Sequence, residues 1–150
     1  MNELSHVDGA GRASMVDVSG KPAQRRVAKA RGRIELAAET VAQVRENRMK
    51  KGDVLAVARL AGIQAAKQTP HLIPLCHPLL LDRIDVQAEV DDTGVTVTSE
   101  VVCVGRTGVE MEALTAVTVA LLTVYDMCKA VDKAMRITGI ELIEKTKEAC

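Results

Sequence analysis

The chain has 150 residues, enough for one domain that buries its own core. It is 47% apolar and 27% charged, a balance that excludes a disordered chain and reads as a soluble globular protein. Twenty basic residues offset twenty acidic ones and a single Tyr is the only aromatic, so a basic nucleic-acid footprint and base-stacking platforms are both excluded, and any anion site must be local.

Residues 1–24 are rich in Gly, Ser and Asp and read as an extended arm, with Met15-Val16-Asp17-Val18 apolar enough to dock. A single domain, residues 25–150, follows. Val27 to Leu36 has strand character, with Gly32 as the place for a bulge. Glu39 to Arg48 reads as a short helix. Asp53 then caps a second helix, Val54 to Lys67, whose many Ala residues allow close packing. The stretch Thr69 to Pro78 holds three prolines and reads as a stiff loop rather than a helix.

Alternation of Ile84, Val86, Ala88 and Val90 with polar residues predicts a strand. Asp91-Asp92-Thr93-Gly94 predicts its turn, and Val95, Val97 and Val101 the return. Val109 to Met135 predicts a long helix, with Leu114, Val117, Leu121, Val124, Cys128 and Val131 as its apolar stripe. A last strand spans Arg136 to Lys145. Strand, two helices, hairpin, helix, strand is a split βαβ order. It predicts an α+β fold, ferredoxin-like, with an antiparallel sheet and its helices packed on one face.

Cys76, Cys103, Cys128 and Cys150 form no CxxC pair, which argues against zinc and for thiols in a reducing compartment. The polar start carries no signal-peptide pattern, and no apolar run reads as long enough to cross a bilayer.

Three clusters could carry chemistry. Lys50-Lys51-Gly52-Asp53 joins a lysine to a helix N-terminus, as a phosphate site would, or is a solvated pair before a capped helix. His77, in a proline-stiffened loop, is a proton-transfer candidate or a structural histidine. On the long helix, Met111, Glu112, Thr115, Leu122, Asp126 and Lys129 fall opposite the stripe. Asp126 and Lys129 can touch there, as a working pair or as an ordinary i,i+3 ion pair. Glu112 and Asp126 share that face but lie about 21 Å apart at 1.5 Å per residue, so they meet only if two such helices pack antiparallel about a two-fold axis near Val119. Arg25, Arg26, Lys145 and Lys147 are further cations, of which arginine suits bidentate phosphate contact.

Six blocks together resemble one family: Met15 to Ser19, Lys51 to Asp53, Ala61 to Lys67, Leu72 to Leu79, Thr107 to Ala116 and Tyr125 to Ala130. They are similar, in order and over nearly the whole chain, to molybdenum cofactor biosynthesis protein C, the cyclic pyranopterin monophosphate synthase family. The resemblance implies a cytoplasmic lyase that converts 3′,8-cyclo-7,8-dihydro-GTP to cyclic pyranopterin monophosphate and diphosphate. It implies a homohexamer, a trimer of dimers with active sites at a subunit interface, functionally linked to the radical enzyme that makes the substrate. No membrane or nucleic acid is implied. Neither is a redox cofactor or a protein-held metal, and a divalent ion accompanying the triphosphate stays open.

By position, the resemblance implies catalytic roles for Asp126, Lys129 and Lys51, with His77 as a further participant. Leu75, Cys76, His77, Met111 and Glu112 match substrate-contacting segments, and Glu110, Arg26 and Lys145 match positions near the site. Ser14 departs from the His or Arg that often stands there, and the Gly-rich tail after the last strand has no counterpart.

Overall fold

The computed structural model describes residues 4–150, so the first three residues of the expected arm lie outside it. Its elements are β1 (Gln24–Glu35), α1 (Ala38–Arg45), α2 (Val54–Leu72), β2 (Leu81–Val90), β3 (Gly94–Gly105), α3 (Glu110–Cys128) and β4 (Arg136–Ala149). The strands form one antiparallel sheet in the order β2-β3-β1-β4, the ferredoxin-like order expected. Strand alternation dictates the faces. Along β1, Arg26, Ala28, Ala30, Gly32 and Ile34 turn inward, while Arg25 and Arg31 turn out. α3 packs over β1, β3 and β4, and α2 packs against α3 and β2, so both long helices cover one face.

The core is aliphatic. Ile34, Val86, Val95, Val97, Val101, Val117, Leu121 and Val124 are fully buried. Small residues let the layers close up. A side chain at Gly32 would overlap Leu121 and Val117, so α3 sits directly on β1 there. At Gly62 a Cβ would stand 2.9 Å from the Ala116 carbonyl oxygen, which is how tightly α2 meets α3.

Four expectations need correction. The residues from Thr69 onward are not all loop: α2 runs through Pro70 to Leu72. Proline lacks only one N–H, and in the last turn that removes a single bond while the Ile73 N–H still reaches the Thr69 carbonyl at 2.9 Å. α3 stops at Cys128 instead of Met135. Asp132, buried in the following turn, accepts from the N–H groups of Ala37 at 2.9 Å and Ala134 at 3.1 Å, which pulls the chain out of helix toward β4. The bulge expected at Gly32 lies in the opposite strand: Arg31 pairs with Glu141 and Arg33 with Thr138, leaving the extra residue in β4 beside Gly139, whose φ is +64°. Finally, α3 is long and apolar enough to cross a bilayer on length and composition alone. Over half of it is buried, however, since it packs against both the sheet and α2.

The described part of the arm has no regular element beyond a bridge between Val7 and Ala13. Val16 and Val18 are partly buried while Met15 and Asp17 point out, so the apolar stretch docks in an extended path. Its seat is the loop after α2: His77 Nε2 donates to the Val16 carbonyl at 2.7 Å.

Candidate active site

The two ends of α3 carry two different groups of polar side chains. At the C-terminal end, Asp126 accepts from Lys129 Nζ at 2.8 Å and from Lys51 Nζ at 2.8 Å. Lys51 is therefore directed to α3, and the N-terminus of α2 is capped by Asp53, which accepts from the Ala56 N–H at 3.1 Å. The two ammonium groups, Lys129 foremost, hold the Asp126 carboxyl down at about 2, and Asp126 in turn raises Lys129 above its ordinary value. All three side chains are about half exposed. The trio carries a net positive charge and leaves N–H donors of both lysines facing solvent.

At the N-terminal end a cavity of about 300 Å³ opens between α3, the loop after α2 and the arm. Leu75, Cys76, His77, Met111 and Glu112 line it, with Val16 and Val18 closing one side. Glu112 was expected, with Thr115, on the face of α3 opposite its apolar stripe. Both are buried, because α3 is enclosed there by more than its apolar stripe. Glu112 is only 4% exposed, and its Oε2 finds no hydrogen-bond partner. Burial pushes its carboxyl up to about 7, with the nearby Glu110 charge adding to the rise, against the pull of its own backbone N–H. Burial also raises the Cys76 thiol, followed by the charges of Glu112 and Glu110.

A second cavity, about 410 Å³, continues from the first toward β1 and β4. Arg26, Lys145 and Lys147 form its cationic wall. Arg26 is nearly buried and donates to the carbonyls of Gly105 at 3.4 Å and Arg106 at 3.3 Å. Lys145 meets Glu110 at 3.2 Å. Lys21, Thr107, Gly108 and Glu110 line both cavities, so the two are lobes of one cleft. Arg25 points to the other face of the sheet.

The structure thus brings Leu75, Cys76, His77, Met111, Glu112, Glu110, Arg26 and Lys145 around one cleft, and Lys51, Asp126 and Lys129 around another point. It does not bring the two groups together within one chain: none of the last three lines either lobe. Lys21, Thr107 and Gly108 were not singled out as site residues from the sequence. Among the described residues no group of three or more His, Cys, Asp or Glu side chains is placed to hold a metal ion.

A small α+β domain with a cleft running from a buried carboxyl to a cationic wall defines a binder of a polar, anionic small molecule. The comparisons make this specific. The sequence pattern of the MoaC family matches residues 15–148, and the chain belongs to that family. It is 60% identical over 147 residues to a protein of Thermomicrobium roseum, covering 97% of this chain and 89% of that one. It is 58% identical over 148 residues to one from Methylobacterium sp. (strain 4-46), covering 97% and 92%. It is 55% identical over 146 residues to one from Listeria welshimeri, covering 97% and 91%. Each of these relatives is named cyclic pyranopterin monophosphate synthase.

Proposed function

We infer that this chain is a cyclic pyranopterin monophosphate synthase of molybdenum cofactor biosynthesis, a lyase acting on 3′,8-cyclo-7,8-dihydro-GTP and releasing diphosphate. The observation that carries the reading to a site is the two-lobed cleft. One lobe offers a buried, unpartnered carboxyl beside His77, as a hydrogen-bonding base and sugar require. The other offers Arg26, Lys145 and Lys147, as a triphosphate requires. The net-neutral chain thereby concentrates cations at one place.

The reaction opens the five-membered ring of the purine, builds a pterin and closes a cyclic phosphate. Its steps move protons and release an anion, so it needs acids, bases and cationic stabilisation. Lys129, raised by Asp126, is an ammonium at neutral pH and enters the reaction as a proton donor. Lys51 shares the same carboxylate and adds a second positive charge.

The trio and the cleft lie at opposite ends of α3, about 21 Å apart along its axis. Two chains with antiparallel α3 helices, related by a two-fold axis near Val119, would bring the trio of one to the cleft of the other. Exposed Leu122 and Tyr125 on α3 suit such a contact. The family resemblance extends this to a hexamer built from three such dimers, working in the cytoplasm downstream of the radical enzyme that supplies the substrate. In this reading the protein itself provides the acid–base groups and the phosphate cradle, with no redox cofactor.

The direct test is incubation of the purified chain with the cyclo-dihydro-GTP. Equal amounts of cyclic pterin and diphosphate are expected. Ligand-induced stabilisation without turnover would instead make it a nucleotide-binding module.

A further inference from the structure

Among the described residues Lys21 is the one cation that lines both lobes of the cleft. It is exposed, and among the described residues it takes part in no ion pair, whereas Lys145 meets Glu110 and both Lys51 and Lys129 meet Asp126. Its place at the junction is built. The Val16 carbonyl is held by His77, the Asp17 carboxylate accepts from the Ser19 N–H at 2.9 Å, and the Lys21 N–H closes a turn onto the Val18 carbonyl at 3.0 Å. Val16 and Val18 meanwhile form a wall of the lobe that contains Glu112. The arm therefore links the carboxyl-bearing lobe to the ammonium at its border with the cationic lobe.

We propose that Lys21 contacts the phosphate nearest the sugar, and that the arm segment clasped by His77 delivers it there. This rests on the cleft assignment above. A ligand with its base in one lobe and its distal phosphates against Arg26, Lys145 and Lys147 must pass its first phosphate through the junction. That phosphate stays in the product when diphosphate leaves, so Lys21 is a contact kept from substrate to product, while the distal wall meets only the departing group.

The test compares guanosine, GMP, GDP and GTP as probes in thermal-shift and calorimetric titrations of the full-length protein, wild type against Lys21→Ala and Lys21→Arg. The expected result is a roughly tenfold weaker Kd for GMP, GDP and GTP alike in Lys21→Ala. Guanosine should bind as in wild type, and Lys21→Arg should recover most of the loss. Equal binding of all four probes by Lys21→Ala and wild type would overturn the contact. Weakening confined to GTP would overturn its placement at the first phosphate. A wild type that responds to none of the four would overturn the cleft assignment and this contact with it.

Discussion

Alanine in place of Lys129 should lower kcat for pterin formation by about 10²–10⁴-fold, the range general acid–base groups supply. The fold should barely notice. Lys129 and Asp126 are half exposed, and exposed pairs add little to stability, so Tm should move by no more than about 2 °C. Asp126→Asn tests the same device from the other side. It keeps the shape but removes the charge that raises Lys129 and steadies Lys51. Turnover should fall steeply, and the alkaline limb of the pH–rate profile should shift to lower pH as Lys129 returns toward its ordinary value. Rates and melting curves of the two variants check this. A large Tm loss matching the activity loss would make the trio a structural feature instead.

Glu112→Gln should have the opposite signature, a gain in stability with a loss of binding. The native carboxyl is raised from 4.5 to about 7 by burial. Between about pH 4.5 and 7 the folded chain retains a proton that the unfolded chain has released, so stability falls as pH rises through that window and remains lower above it. The shift corresponds to an upper limit of about 3 kcal/mol at pH 8. Glutamine is neutral and of the same size. Its variant should melt several degrees above wild type at pH 8 and coincide with it near pH 4. Substrate affinity should meanwhile drop by roughly 10–100-fold, since a charged hydrogen-bond acceptor is lost. Melting curves of both proteins from pH 4 to 9 provide the check, and parallel curves would contradict the buried, unpartnered carboxyl.

Much of the fold was legible because its signals are periodic. The alternation in β2 and β3 and the stripe residues Leu114, Val117, Leu121, Val124 and Cys128 face the core as read, whereas Val131 lies past the end of α3 and is half exposed. The misreadings have physical causes. A helical wheel sets Glu112 and Thr115 opposite the apolar stripe and says nothing of their burial, whereas α3 is buried over a wider arc that includes Ala113, Ala116 and Ala120. Alanine is too weakly hydrophobic to mark that second face, though it is what lets α2 approach. Pro70 ended the expected helix because a proline in the last turn is indistinguishable, in sequence, from one that breaks it.

At the site, the family blocks contained Leu75, Cys76, His77, Met111, Glu112 and Asp126. The separation of Glu112 from Asp126 along α3 needed only 1.5 Å per residue, whereas the meeting of Leu75, Cys76 and His77 with Glu112 is a tertiary contact that spacing does not show. Lys21 stayed hidden: a lone lysine at the end of a Gly- and Ser-rich arm has no periodicity, and only the docking of Val16 onto His77 gives it an address.

Complementation between two inactive variants probes the composite site most directly. Glu112→Ala damages the cleft and Lys129→Ala damages the trio, and each alone should be nearly inactive. If two chains build each site, coexpression in equal amounts gives mixed dimers in which one site carries both lesions and the other carries neither. Random pairing should then restore about a quarter of wild-type turnover. Activity no higher than that of the separate variants, in material shown to contain mixed dimers, would contradict a site shared across two antiparallel α3 helices.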